Sequence, residues 1–184
     1  AHKIGGPKGV GALLLAPDIE IQAILSGGGQ ERGRRAGTEN VPAIAGFGAA
    51  ALQVKELLGK TGNIAQLRNM LEQAISEQFP EVVIHGNKVT RLVNTSSFGV
   101  EGVSAETQVI ALDLSGIAIS SGAACSSGKV GPSHVLGAMG RSRSLASSSI
   151  RVSIGVETKE TEIERFIDVW GSNLKIIRRR ENAA

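Results

Sequence analysis

Between Ile64 and Ile177 the apolar residues of this chain keep changing period, and that alternation limits the fold more than any single motif. Ile64, Leu67, Leu71, Ala74 and Ile75 recur at helical spacing and stop before Pro80. Val82-Val83-Ile84 is then a short strand closed by His85-Gly86-Asn87. His85 stands at that strand end with no ligand partners in reach, so it reads as structural rather than metal-binding. Residues 92–100 read as a second strand, and Ser104 caps a helix to about Leu114. Ile117-Ala118-Ile119 is a third strand. Ser133 caps a short helix through Met139, and residues 141–149 form a serine-rich connection. Ile150-Arg151-Val152-Ser153-Ile154 alternates as a fourth strand. Thr158 caps the last helix, whose Ile163, Phe166, Ile167, Trp170, Leu174 and Ile177 share one face. Short strands interleaved with amphipathic helices give a compact α+β unit with a small sheet, and no internal repeat is present.

The first 58 residues have a different character. Four glycines and a proline fall in residues 1–11, a composition that permits close backbone approach to a ligand and argues against helix. Residues 10–15 are an apolar run of strand length, buried on both faces if paired, yet no neighbouring strand adjoins it. Residues 26–40 carry five glycines and three arginines, a pattern suited to an anion such as phosphate, or simply to a solvated basic loop. Thr38 or Asn40 caps an alanine-rich helix from Val41 to about Leu58. Gly59-Lys60-Thr61-Gly62 interrupts the pattern, so the chain is divided into residues 1–58 and residues 59–184.

Composition removes several classes of function. Aromatic residues are 3% of the 184, with no Tyr, which disfavours recognition by stacking on bases. The net charge of +3 is dispersed except at Arg178-Arg179-Arg180, a solvated helix end rather than a nucleic-acid patch. One cysteine allows no internal disulfide. No unbroken apolar run approaches the ~18 residues of a membrane span. Ala1-His2-Lys3 leads into no signal-peptide core, and the chain opens without Met, so it reads as part of a longer sequence. A cytoplasmic protein with no metal is the expectation.

That single cysteine, Cys125, lies in Ser120-Ser121-Gly122-Ala123-Ala124-Cys125-Ser126-Ser127-Gly128-Lys129. The small residues around it can anchor no core and carry neither period, so the segment is a loop. A thiolate there is a nucleophile that can travel; the plain alternative is a small buried cysteine. The chain also offers a His-Lys pair in a glycine-rich segment and an arginine-glycine loop ending at Thr38. A lysine for a Schiff base, phosphate ligands and an arginine for a carboxylate are what pyridoxal phosphate and an amino acid require.

Four stretches together resemble the cysteine desulfurases of the class-V, fold-type-I pyridoxal phosphate enzymes, on the branch of the housekeeping and nitrogen-fixation sulfur donors. They are His2-Lys3-Ile4-Gly5-Gly6-Pro7-Lys8-Gly9, residues 27–38, residues 120–127 with Pro132-Ser133-His134-Val135-Leu136, and Ser148-Ser149-Ile150-Arg151-Val152-Ser153-Ile154-Gly155. The resemblance implies a partial fold type I: residues 1–58 as the tail of the large cofactor domain, residues 59–184 as the small C-terminal domain. It makes Lys3 the Schiff-base lysine that also moves the Cα proton. His2 is implied as a cofactor phosphate contact, and Thr38 as a ligand to the phosphate of the neighbouring subunit of a homodimer. Arg151 is implied to pair with the substrate carboxylate, and Cys125 to take the sulfur of L-cysteine as a persulfide, leaving alanine.

An iron–sulfur scaffold protein is the implied acceptor, with no direct nucleic-acid or membrane partner. Gly6 departs from the aromatic residue that often follows the lysine segment. The resemblance also places an N-terminal half outside this sequence, with the group that stacks on the pyridine ring and the acid paired with its nitrogen, so the chain by itself is expected to be inactive. Two other readings stand beside this one. A selenocysteine lyase or another class-V enzyme shares most of the motifs, although an aminotransferase needs no nucleophilic thiol. A catalytically silent module for dimerisation or acceptor docking is the other.

Overall fold

A computed structural model describes residues 1–122 and 132–181. The chain divides into two compact units, Ala1–Gly59 and Lys60–Ala184.

The first unit is built on one long helix, α1 (Val41–Gly59). The Asn40 side chain caps it by accepting from the Ala43 amide at 3.2 Å. The Cβ that Gly46 lacks would lie 2.6 Å from the Pro7 ring, so the glycine-rich start of the chain seats closely on this helix. Residues 10–15 are not a strand: they have no regular structure, and Leu13 and Leu14 are 73% and 90% exposed. A strand buried on both faces needs sheet neighbours, and none pairs with it among the described residues. Ala43 is the one buried residue of this unit, which therefore has no core of its own.

Two sequence readings are corrected here. His2–Ile4 forms a 3-10 turn within the glycine-rich start, closed by Gly5 at φ 88°. The α1 helix is also long and apolar enough to cross a membrane by length and composition alone. Its alanines, with Ile44, Phe47, Leu52, Leu57 and Leu58, raise the mean hydropathy although Gln53, Lys55 and Glu56 interrupt the apolar run.

In the second unit, α2 (Thr61–Gln78), α3 (Ala105–Leu114) and α6 (Glu160–Glu181) pack on a four-stranded antiparallel sheet. The strands are β1 (Val83–Ile84), β2 (Thr95–Gly99), β3 (Ser120–Ser121) and β4 (Ser149–Ser153), in the order β1-β2-β4-β3. Short helices α4 (His134–Ala138) and α5 (Arg143–Ser147) precede β4. Ile150 and Val152 alternate into the core beside Phe98, while Ser149, Arg151 and Ser153 take the opposite face.

Trp170 is the centre of the core. Its ring meets Phe79 and Phe98 edge-on, with centroids at 5.1 and 5.3 Å, and its Nε1 donates to Gln108 Oε1 at 2.9 Å. Gln108 in turn donates to the Val103 and Ser148 carbonyls, so one buried amide ties three segments together. On α2, Glu72 accepts from Arg91 at 2.7 and 2.5 Å and from Ser96 at 2.6 Å. Burial works to raise the Glu72 carboxyl, but these hydrogen bonds and the Arg91 charge outweigh it and hold the group below its ordinary value.

The strand and cap readings shift in three places. The third strand is Ser120–Ser121 rather than residues 117–119, because Ile117 and Ile119 pack beside the core one step before pairing begins. The serine-rich connection contains α5, capped by Ser142, with Leu145 and Ala146 buried beneath it. Thr158 does not cap α6: its hydroxyl accepts from Gly155, and Glu162 reaches back to the Lys159 amide instead.

Candidate functional site

Lys3 owes its presentation to a knot of backbone bonds. The Ala1 carbonyl accepts from Ile4 and Gly6, each at 3.0 Å, and the Ala1 amino group donates to the Val10 carbonyl at 2.7 Å. The turn these bonds close leaves His2 and Lys3 exposed and adjacent. Gly6 is required here, since a Cβ would fall 2.8 Å from Ala1 Cβ. The aromatic residue looked for at this position has no room while Ala1 stays where it is.

The arginine-glycine loop is closed by two further bonds. Ala36 donates to the Leu25 carbonyl at 3.1 Å, and Gly37 donates to the Gln30 side chain at 3.3 Å. Inside it, Gln30–Gly33 is a 3-10 turn rather than featureless loop, with Glu31 and Arg32 in the left-handed region at φ 50° and 59°. Non-glycine residues are uncommon there, so the turn is held by its closure rather than by local preference. Thr38 follows it, exposed, in the same unit as His2 and Lys3.

Arg151 stands in the second unit on β4, with Ser97 of β2 and Ser120 of β3 opposite it in register. All three lie on the sheet face opposite the one packed on α2, α3 and α6. The Ser97 hydroxyl donates to the Ile150 carbonyl at 3.2 Å, which fixes one flank. Arg151 is half-buried, and among the described residues no side chain pairs with its guanidinium. A planar fork of donors on a polar face is suited to a carboxylate.

Cys125 lies outside the described residues. The strand that leads to it is described: Ser121 pairs with Ile150, and the Gly122 amide donates to the Ser149 carbonyl at 2.8 Å. A Cβ on Gly122 would sit 2.8 Å from that same oxygen. Gly122→Ala is therefore expected to cost about 1–3 kcal/mol, the usual penalty for crowding a packed position. Urea denaturation checks it; a loss well under 1 kcal/mol would show that β3 shifts freely.

His85 is structural, as its sequence reading has it, but sequence reasoning missed its partner Ser149. Its ring is 5% exposed, and Nε2 lies 2.8 Å from Ser149 Oγ. Burial, reinforced by the nearby Arg141 charge, pushes the imidazole down to about 4. The sequence signal was present but faint: a histidine in an otherwise apolar strand end, and a serine heading the strand that carries Arg151.

For pyridoxal phosphate, the test is one of donor chemistry. The first unit offers a primary amine, an imidazole and a hydroxyl, all exposed, and the second a free guanidinium fork. These residues fit the cofactor and an amino-acid substrate. Among the described residues, no group of three His, Cys, Asp or Glu side chains is arranged to hold a metal ion.

Residues 1–166 match the family model Aminotransferase class-V. A "Cysteine desulfurase" of Sinorhizobium fredii is 42% identical over 179 residues, which are 97% of this chain and 46% of that protein. Among solved structures, a "NIFS-LIKE PROTEIN" matches with a TM-score of 0.81 at 32% identity, covering 95% of this chain and 44% of that one. "SspA in complex with cysteine" matches with a TM-score of 0.54 at 27% identity, over 86% of this chain and 43% of that one. The chain spans about half the length of the curated relatives it matches.

Proposed function

Since the chain belongs to the class-V aminotransferase family and carries part of the fold-type-I architecture, we propose that it acts in a pyridoxal phosphate-dependent cysteine desulfurase. What carries this reading is the desulfurase likeness along 97% of the chain, in a sequence whose single cysteine can serve as the sulfur carrier. The structural neighbour solved with cysteine supports L-cysteine as the substrate.

When bound, pyridoxal phosphate supplies an electron sink for bond changes at the amino acid's Cα and Cβ. Lys3 would hold it through Nζ and afterwards move the Cα proton. His2 and Thr38 would bind it through imidazole and hydroxyl, Thr38 toward the phosphate of a second subunit. Arg151 would pair both carboxylate oxygens of the amino acid and so hold its orientation. The Cys125 thiolate attacks the substrate sulfur: an S–S bond forms, the C–S bond breaks, and its electron pair is finally protonated. L-cysteine and the Cys125 thiol thus become L-alanine and a Cys125 persulfide, with atoms and electrons balanced. An acceptor in the cytoplasm, such as an iron–sulfur scaffold protein, would then take the terminal sulfur.

The reading is tested by incubating the chain, together with the N-terminal half that the resemblance implies, with pyridoxal phosphate, reducing with borohydride and mapping the peptides by mass. The expected result is a phosphopyridoxyl group confined to the Lys3 peptide, and a persulfide on Cys125 after exposure to L-cysteine that Cys125→Ser lacks. Modification scattered over many lysines, with no persulfide, would sink it.

A further inference from the structure

The His85–Ser149 pair has the separation of a catalytic base and its nucleophile, and its hydrogens say otherwise. The Ser149 hydroxyl donates to the Leu145 carbonyl at 2.6 Å, so its oxygen must accept from the ring at 2.8 Å. His85 therefore carries its hydrogen on Nε2 and cannot take one from the serine. Both side chains are also buried, at 5% and 0% exposed. The pair is a fastening.

What it fastens is the row of residues next to Arg151. Ser149 is opposite Gly99 on β2, and its carbonyl holds the Gly122 amide at the end of β3. A Cβ on Gly99 would fall 2.6 Å from Ser149 Oγ, and one on Gly122 would fall 2.8 Å from the Ser149 carbonyl oxygen. In that row Ser149 is thus flanked by two glycines that leave it space. The His85 amide also donates to the carbonyl of Ser97, the β2 partner of Arg151, at 2.8 Å. One residue consequently grips both the strand that bears Arg151 and the strand beside it. Register matters here because a one-residue slip of β4 would turn Arg151 into the core.

We propose that His85 is a positioning residue for Arg151, holding β4 in register through Ser149 so that the guanidinium stays presented to an amino-acid carboxylate. This rests on the reading of Arg151 as the carboxylate anchor. Arg141 is the charged group near the ring, and its Nε, like His85 Nδ1, is buried without a hydrogen-bond partner among the described residues.

The test measures Arg151 itself. The full chain is treated with phenylglyoxal, and modification of Arg151 and Arg68 is followed by peptide mass in the parent, His85→Phe, His85→Gln and Ser149→Ala. His85→Phe and Ser149→Ala are expected to change the Arg151 rate about fivefold, the equivalent of one net hydrogen bond, with Arg68 unmoved. His85→Gln, which keeps a donor, should restore most of the parent rate. The double variant should add little to either single one, since both break the same link. In the chain combined with that N-terminal half, which is then the parent for turnover of L-cysteine, His85→Phe should raise KM with kcat little changed. An Arg151 rate equal in all variants overturns the proposal, as does a KM that stays put. Absence of turnover in the parent would count against the desulfurase reading alone, because the Arg151 rates are read without it. Should His85→Phe fail to fold, Ser149→Ala carries the same comparison.

Discussion

Trp170→Ala is expected to destabilise the second unit by about 3–5 kcal/mol, the range for removing a large aromatic residue from a packed core. The indole is 1% exposed, and three phenylalanines surround it: Phe79 and Phe98 edge-on, Phe166 stacked at 12°. Deleting it opens a cavity between α2, α6 and the sheet. It also leaves Gln108 Oε1 without the donor it has at 2.9 Å, in a place that water does not reach. Domain stabilities of about 5–15 kcal/mol make this a large fraction of the total. Trp170→Phe keeps much of the volume and loses the same hydrogen bond, so the difference between the two variants separates cavity from amide. Urea denaturation at neutral pH is the measurement. A Trp170→Ala loss below about 1.5 kcal/mol would mean that the core collapses around the gap or that this ring is not its centre.

How much was legible in the sequence differs between the two units for a physical reason. The second unit buries its own apolar face, so periodicity reported on packing that is present. α2, α3 and α6, and strands near residues 83, 97 and 151, all follow from it. Ser104 was readable as a cap because the rule is local, and its hydroxyl does accept from the Thr107 amide at 3.4 Å. α5 was hidden because two of its five residues are serine and Ser142 and Ser148 flank it, which resembles a loop, while its burial rests on only Leu145 and Ala146. In the first unit the same reasoning failed at residues 10–15. An apolar run says that a segment can be buried, and only a neighbour decides whether it is.

The site divides along similar lines. Lys3, His2, Thr38 and Arg151 were named from motif order, and the structure places the first three in one unit and Arg151 in the other. Cys125 lies outside the described residues. The fastening by His85 was not legible, because residues 64 apart meet only through the pairing of β1, β2 and β4. Periodicity identifies the strands and leaves their order open. The order β1-β2-β4-β3 carries a β1-end histidine to a β4 serine, and nothing local in either segment encodes that.

Titration of His85 is expected to make the stability of the second unit fall steadily from about pH 6.5 to about pH 4. In the unfolded chain the imidazole takes a proton near 6.5, whereas in the folded protein burial and the Arg141 charge push it down to about 4. Between those values the unfolded chain binds a proton that the folded one refuses, so acid favours unfolding. The contribution is complete above the unfolded value and disappears as pH drops toward the folded one. A shift of this size corresponds to about 3 kcal/mol over the window, with a slope of at most about 1.4 kcal/mol per pH unit. The comparison is urea denaturation of the parent and His85→Gln between pH 7.5 and 4.5. Carboxylates such as Glu72, held low by Arg91, contribute equally to both proteins and cancel in the difference. The parent should lose about 2–3 kcal/mol more than the variant on acidification, even if the variant is the less stable at pH 7.5. Parallel curves would show that the ring keeps its proton inside the fold. In that case Ser149 would have to accept from a charged imidazole, and the buried Nδ1, now also a donor, would require an acceptor that Arg141 cannot provide.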